Sequence, residues 1–401
     1  MAEQTAHSTC EGGSSAAPLP FQRLARERTA LAVEWLLRSI RACGGQGSAV
    51  YYSRWIRPLR GWYYPYPETT GYIIPTLYEY ARRAARPDCA ETATRQAEWI
   101  CGLQFESGAL PGSHVDGKPK PPSVFNTGQM ILGLCAAFDQ TGQERFLGAA
   151  QRAASWLARE VDPQRGLWLS HAYVSGFCPA YYTRVCWPML EVDARHPDAA
   201  VRDAATRVLD TIASWRLESG AFRNWAFTPR TAAYTHTIAY TIRGFLEAGR
   251  LLGEQGARFS RLAHETAEIL MRKAELRGGL AGAYDERLQG QHWYTCLTGN
   301  CQMALIWMRL FETTRDARFL NAALKVIEFV LARQRRRSLD PNLRGAIPGS
   351  APFWGRYLAF RYPNWAAKFF VDALLEADAL LERIRAQGPL PLEAPQSCES
   401  R

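Results

Sequence analysis

The chain has 401 residues, of which 47% are hydrophobic and 21% charged, and its formal net charge is +10 at pH 7. This composition excludes an intrinsically disordered chain and allows a large core. The basic residues are scattered except for the run Arg333 to Arg337, which we interpret as the solvated end of a helix. We therefore expect no nucleic-acid partner, and we expect the positive charge to serve an anionic small substrate or saccharide.

The N-terminal residues 1–20 are polar and rich in small side chains, and they lack the apolar segment of a secretory signal. No apolar stretch reaches the roughly 18 residues needed to span a membrane. The ten cysteines form no CxxC motif and no cluster with histidine at zinc spacing. We expect a cytoplasmic protein with flexible tails at residues 1–20 and 386–401, no membrane partner, no metal and no cofactor.

Amphipathic stretches recur along the chain and predict surface helices. They are Phe21–Ile40, Ala90–Leu103, Arg145–Glu160, Ala199–Trp215, Phe259–Ala274 and Phe319–Gln334. The segments between them, such as Gln129–Phe138, are apolar on nearly every side, which is typical of helices buried on every side. Each surface helix is therefore expected to pair with a buried one.

Two series of landmarks repeat with the same period. Each apolar segment ends in one acidic residue: Glu79, Asp139, Glu191, Glu247, Glu312 and Glu376. Turn glycines follow at Gly108, Gly166, Gly220, Gly279 and Gly345. The repeats predict six helical hairpins, closed as an all-α (α/α)6 toroid over residues 21–385, with short β-hairpins or loops inserted. An open solenoid would need polar caps, and the termini are too short to form them.

Polar and aromatic residues recur where the buried helices begin. If these helices are parallel, their N-termini share one electropositive end of the ring. We predict the ligand site there, although Asn126 and Asn364 could instead be helix caps. Arg184 and Lys368 lie in buried segments, so they must pair with carboxylates or face a wet cavity. The predicted substrate-binding residues are Tyr66, Tyr72, Asn126, Gln129, Tyr182, Arg184, Tyr284, Asn300, Arg356, Arg361, Asn364 and Lys368.

These residue types suit a saccharide, because tyrosine rings stack on sugars while amides and cations bind hydroxyl and carboxylate groups. The cations favour an acidic, uronate-containing sugar. The expected reaction is glycoside hydrolysis, which needs two carboxyl groups, and Glu68 and Asp285 are the candidates. Epimerisation or elimination at a uronate would instead use His236 and Tyr240 as acid and base, with Tyr182 and Arg184. A non-catalytic helical-repeat binding protein is a further alternative, and the oligomeric state stays open.

The repeat spacing, together with the stretch Phe125-Asn126-Thr127-Gly128-Gln129, resembles the six-hairpin carbohydrate-active enzymes. These include unsaturated glucuronyl hydrolases, polysaccharide lyases, N-acylglucosamine 2-epimerases and the helical domain of glucuronyl C5-epimerases. Segments Tyr66–Thr76 and Tyr362–Phe369 look like bacterial proteins associated with polysaccharide gene clusters. The resemblance covers about residues 21 to 385 and implies the toroid fold and saccharide chemistry. It assigns no catalytic residue, since none matches a characterised family one to one.

Overall fold

Helices dominate the computed structural model, which describes residues 20–54, 60–277 and 279–387. Within these residues there are twelve α-helices: α1 (Pro20–Ala42), α2 (Pro67–Ala84), α3 (Pro87–Gly102), α4 (Val124–Thr141), α5 (Glu144–Arg159), α6 (Thr183–Arg195), α7 (Ala199–Ala213), α8 (Thr235–Leu252), α9 (Ala257–Arg277), α10 (Leu297–Thr314), α11 (Ala317–Leu331) and α12 (Asn364–Ala386). The expected tails lie outside the described residues, except that Pro20 and Ala386 are helical and Gln387 caps α12.

The even-numbered helices form a closed inner ring. Each packs against the next even-numbered helix, and α12 packs against α2. The odd-numbered helices lie outside, with α3 on α2 and so on round the ring, and α1 packs on α12. The predicted all-α toroid of six hairpins is therefore confirmed, and its last hairpin joins the first and last helices of the chain. At that closure, Gln22 Nε2 donates to Asp378 Oδ1 at 2.9 Å.

Side-chain burial explains which helices are inside. On outer helix α5, the buried residues Phe146, Ala150, Ala153 and Leu157 follow one helical face, and the opposite face is in solvent. On inner helix α10, eight consecutive residues from Leu297 to Ala304 are buried. Hydrophobic burial on one side or on all sides thus sorts the helices into two layers. No helix in the described residues is long and apolar enough to cross a membrane.

The two ends of the ring differ in their connections. At the C-terminal ends of the inner helices, short links lead outward, such as the two residues 85 and 86 between α2 and α3. At the N-terminal ends, long loops return inward and carry β1 (Tyr51–Ser53), β2 (Gly61–Trp62), β3 (Ala233–Tyr234), β4 (Ala283–Tyr284), β5 (Thr295–Cys296), β6 (Ser350–Ala351) and β7 (Tyr362–Pro363). The strands pair antiparallel as β2-β1-β7, β3-β4 and β5-β6. Loops therefore cover the N-terminal end.

The recurring acidic residues form a belt of ion pairs at the C-terminal rim. Four of them pair with an arginine of the following inner helix: Asp139 with Arg195, Glu191 with Arg250, Glu247 with Arg309, and Glu312 with Arg383. Glu79 and Glu376 pair with arginines of their own helices. Carboxylates near helix C-termini oppose the helix dipole, and the arginines offset this repulsion. The sequence repeat thus marks the contacts that join neighbouring inner helices.

Candidate active site

A cavity of about 400 Å³ lies in the centre of the ring. Its deepest lining residues, including Tyr72, Arg184 and Tyr240, come from the first turns of inner helices and are buried. Its rim includes Glu79 and Asp139 near the helix C-termini, whose side chains are 42% and 48% exposed. The cavity therefore opens at the C-terminal end of the inner helices. The prediction of the N-terminal end was wrong for this opening, because the long loops cover that end.

Arg184 is the buried cation on the cavity floor. Its Nε donates to Gln129 Oε1 at 3.0 Å, and Gln129 Nε2 donates back to the Arg184 carbonyl at 3.1 Å. The guanidinium lies over the rings of Tyr240 and Trp187, at 4.7 Å and 4.8 Å from their centroids. Among the described residues no carboxylate oxygen lies within 4.0 Å of it. Burial lowers the pKa of Arg184, while Asp372 opposes this shift from a distance; a guanidinium keeps its proton, so the site offers a positive charge without a direct carboxylate partner.

Tyr240 presents a hydroxyl with unused hydrogen-bonding capacity. The Tyr240 Oη atom is buried and makes no hydrogen bond of full geometry within the described part of the chain, although Tyr72 and Arg184 approach closely enough to lower its pKa by hydrogen bonding. Burial raises the pKa of Tyr240, and the charge of Arg184 acts in the opposite direction. A buried hydroxyl without a partner is costly, which favours a role toward a bound molecule. Since its pKa is raised, this phenol holds its proton at neutral pH and can donate it.

Lys368 lies on the same floor and belongs to a small network. Its Nζ donates to Asp372 Oδ2, and Thr76 Oγ1 donates to Asp372 Oδ1 at 2.6 Å. Burial lowers the pKa of Lys368 to about 8, while the Asp372 carboxylate opposes this shift. Asp372 lines the cavity and was missed in the sequence. The available signal was its spacing of four residues after Lys368, which places both on one helical face.

A buried polar layer lies one helical turn below the floor, toward the N-terminal end. Glu68 Oε2 accepts from Tyr66 Oη at 2.6 Å, and the Asn126 amide, in its satisfied orientation, donates to the same oxygen at 3.2 Å. Burial raises the pKa of Glu68 to about 7, opposed by Tyr66 and by the charge of Arg184. This carboxyl group can therefore be protonated near neutral pH, as a general acid requires.

His236 belongs to the same layer. Its Nδ1 forms a 2.9 Å hydrogen bond with Gln302 Oε1, and its ring centroid lies 4.3 Å from that of Tyr240. Burial lowers the pKa of His236 to about 3, so the imidazole is neutral at physiological pH. Gln302 lines the cavity. His236 therefore contacts Gln302 and Tyr240, which line the cavity, but does not line the cavity itself.

Solved structures share this arrangement of helices. An unsaturated glucuronyl hydrolase specific for heparin has a TM-score of 0.70 at 13% identity, covering 90% of this chain and 98% of that chain. Cellobiose 2-epimerase from Bacillus thermoamylovorans has a TM-score of 0.70 at 10% identity, covering 88% and 98%. An unsaturated glucuronyl hydrolase from Bacillus sp. GL1 has a TM-score of 0.68 at 14% identity, covering 88% and 96%. The chain has the (α/α)6 toroid fold.

No family model matches the sequence of this toroid, and no curated protein matches it in sequence. Its structural neighbours are carbohydrate-active enzymes of the same fold, as expected from the sequence. At these identities they show the fold alone. The reaction must be argued from the residues of the toroid itself.

The toroid places four other predicted binding residues in structural contacts away from the cavity. Asn364 Nδ2 donates to Ser48 Oγ and Thr69 Oγ1, and Asn300 Nδ2 donates to the Cys296 carbonyl. The hydroxyls of Tyr182 and Tyr284 accept backbone N–H groups of Tyr173 and Ala281. These contacts stabilise helix starts and loops at the N-terminal end.

Three predicted residues of the toroid lie in its loops. The Asp285 carboxylate accepts the N–H groups of Arg287 and Gln289 and so closes the turn after β4. Arg361 packs on the Tyr51 ring at 5.4 Å, and Arg356 is exposed. None of the three is among the residues that line the central cavity. The structure therefore does not bring Asp285 into the cavity or into a contact with Glu68.

Proposed function

We propose that the protein is a carbohydrate-active enzyme that binds an acidic, uronate-containing saccharide in the central cavity. The observation that carries this proposal is the buried guanidinium of Arg184, which lies against Tyr240 and lacks a carboxylate partner among the described residues. A uronate carboxylate would supply the missing charge and could accept from the Tyr240 hydroxyl. The named activities of the neighbours, on glucuronyl and other sugars, support a saccharide substrate.

The reaction that fits this floor is proton transfer at the carbon next to the uronate carboxylate. Arg184 binds the carboxylate and stabilises the negative charge that develops when the C–H bond breaks. Neutral Lys368 takes the proton, since its pKa is close to the working pH. Tyr240 then donates its proton, either to the opposite face of the carbon, which gives an epimer, or to the departing glycosidic oxygen, which gives an unsaturated sugar.

Glycoside hydrolysis is a second candidate, and Glu68 is the observation that favours it. Its pKa near 7 suits a general acid, and Asp372 offers a second carboxylate inside the cavity, in place of Asp285. However, Glu68 is enclosed by Tyr66 and Asn126 and does not line the cavity. Hydrolysis would need this layer to open, whereas proton transfer uses groups that already line the cavity.

A panel of uronate oligosaccharides tests the proposal. Deuterium uptake from heavy water reports epimerisation, ultraviolet absorbance of a conjugated uronate reports elimination, and new reducing ends without that absorbance report hydrolysis. Tyr240→Phe should abolish either form of proton transfer and retain binding. Tyr182→Phe is the matched control, because the Tyr182 hydroxyl accepts the backbone N–H of Tyr173 outside the cavity. Binding without turnover of any panel member would favour the non-catalytic binding protein and overturn the proposal.

A further inference from the structure

A groove runs over the outside of the ring at the ends of α9 and α11. It has two lobes, of about 340 Å³ and 580 Å³. His292, Thr295 and Phe329 line both lobes, so the lobes are continuous. One lobe lies along the ends of α9 and α11, and the other extends over β5 and β6. The groove shares no lining residue with the central cavity.

The charges of this groove are unbalanced. It is lined by four cations, Arg277, Lys325, Arg333 and Arg335, and by two carboxylates, Glu275 and Glu328. Within the described ranges, no carboxylate oxygen lies within 4.0 Å of any of the four cations.

On the same two helices, Arg272 of α9 and Arg318 of α11 both bind Glu268, whereas Arg261 of α9 forms no ion pair among the described residues. Unpaired cations therefore occur elsewhere too, but four of them line this one groove. Two of its cations belong to the Arg333 to Arg337 run, which the sequence explains only as a solvated helix end.

Aromatic side chains complete the groove. Trp293 lines one lobe and is 57% exposed, although tryptophan normally buries most of its ring. It packs at 4.5 Å on Tyr294, which is buried and holds it in place. Trp354, next to the lining residue Phe353, is 62% exposed. An exposed, supported indole beside unpaired cations offers a stacking face and charge together.

We infer that this groove is a second binding site for an acidic saccharide chain. A sugar ring stacks on Trp293, while carboxylate or sulfate groups along the chain pair with Arg277, Lys325 and Arg333. The choice of a saccharide rests on the proposed function, because the same kind of chain would then supply the substrate. The groove lies toward the loop-covered N-terminal end of the inner helices, away from the opening of the cavity, so it would hold a different segment of the polymer from the one in the cavity.

Binding of linear polygalacturonate to the full chain tests this inference, with neutral dextran as the reference polymer. Trp293→Ala and the double change Arg277→Ala with Arg333→Ala should each weaken polygalacturonate binding about tenfold, and added salt should weaken it further. Tyr173→Ala and Arg261→Ala are matched controls, since these residues are exposed but lie outside the groove. Trp293→Phe should restore most of the affinity, which an unfolded variant could not do.

Variants of the two sites distinguish binding in the groove from binding in the central cavity. The groove variants should weaken polygalacturonate binding about tenfold in the Arg184→Ala background as well, in which the cavity has lost its cation for a uronate carboxylate. If Arg184→Ala abolishes binding and the groove variants have no effect, the chain binds in the cavity alone and the second site is overturned. Equal affinity for dextran, or for single-stranded DNA of matched charge, would overturn the assignment of an acidic saccharide. Turnover of short uronate oligosaccharides is measured separately, so a negative binding result for the groove would not contradict the proposed function.

Discussion

The guanidinium of Arg184 lies 4.7 Å from the ring centroid of Tyr240, and this pair forms the positively charged floor of the central cavity. The contact holds a cation in an apolar setting without a carboxylate partner in the described part of the chain. A buried cation without a carboxylate partner lowers the stability of the fold, and binding of an anionic ligand would offset that loss. We therefore expect the substrate to carry a negative charge.

We expect Arg184→Ala to reduce kcat/KM for a uronate oligosaccharide by about ten- to a hundredfold, the effect of one lost charge-assisted interaction. The carboxyl-reduced form of the same oligosaccharide serves as the control. If that neutral sugar is turned over at all, its rate should not depend on Arg184. An equal loss for both sugars would mean that Arg184 acts on the fold and not on the carboxylate.

The pH profile tests Lys368 as the base. Burial lowers its pKa from the usual 10.5 to about 8, so kcat/KM should rise with pH, with the midpoint of the rise near pH 8. Asp372 raises the pKa of Lys368, so Asp372→Asn should move the midpoint of the rise to lower pH. Lys368→Met should remove the rise together with the activity. A rate that falls between pH 7 and 9 would exclude a neutral lysine as the base.

Glu68 should make stability depend on pH. Its pKa is about 7 in the fold, against a usual 4.5, so the folded protein retains a proton that the unfolded chain releases. Below pH 4.5 the group has no effect, and its penalty grows as pH rises and is complete above 7. Glu68→Gln should therefore gain about 3 kcal/mol at pH 8 relative to pH 4, measured by urea unfolding. Glu106→Gln, at an exposed position, is the matched control for the loss of one carboxylate.

The ion-pair belt should contribute unevenly to stability. Glu247 is 3% exposed and contacts Arg243, Arg250 and Arg309, so its removal leaves three arginines without their common partner. Glu247→Gln should cost about 2 kcal/mol, less than a fully buried pair because the arginines are partly exposed. Glu376→Gln is the matched change at a more exposed position with one arginine, and it should cost under about 1 kcal/mol. Equal losses in thermal unfolding would contradict this difference.

The fold was predictable because the burial of a helix determines the spacing of its hydrophobic residues in the sequence. The segment Gln129–Phe138, apolar all round, lies within inner helix α4, and the amphipathic stretch Arg145–Glu160 matches outer helix α5 to within one residue at each end. Five of the six acidic residues lie in the last six residues of their inner helices, whereas Glu376 lies ten residues before the end of α12. Their ring of arginine partners could not be predicted, since it joins side chains of different repeats.

The candidate site was predictable only in part. Tyr72, Arg184, Tyr240 and Lys368 line the cavity because inner-helix positions project into the ring wherever the loops fold. The open end depends on how the long loops pack, for which the sequence carries no periodic signal. The same reason explains Asp285, which lies in a loop turn. Asp372 lies on an inner helix, and its spacing of four residues after Lys368 was a signal that the prediction did not use.

The contact between α1 and α12 has a consequence for how the chain reaches this shape during synthesis. α1 is synthesised before the other helices of the ring and packs on α12, which is synthesised after them, through Gln22 and Asp378. The apolar face of α1 that packs on α12 therefore stays exposed while more than three hundred further residues are translated. Co-translational folding can stack the middle hairpins in order, but the circle closes only after α12 has been synthesised. A nascent chain stalled before α12 would expose that face to chaperones or to neighbouring polypeptides.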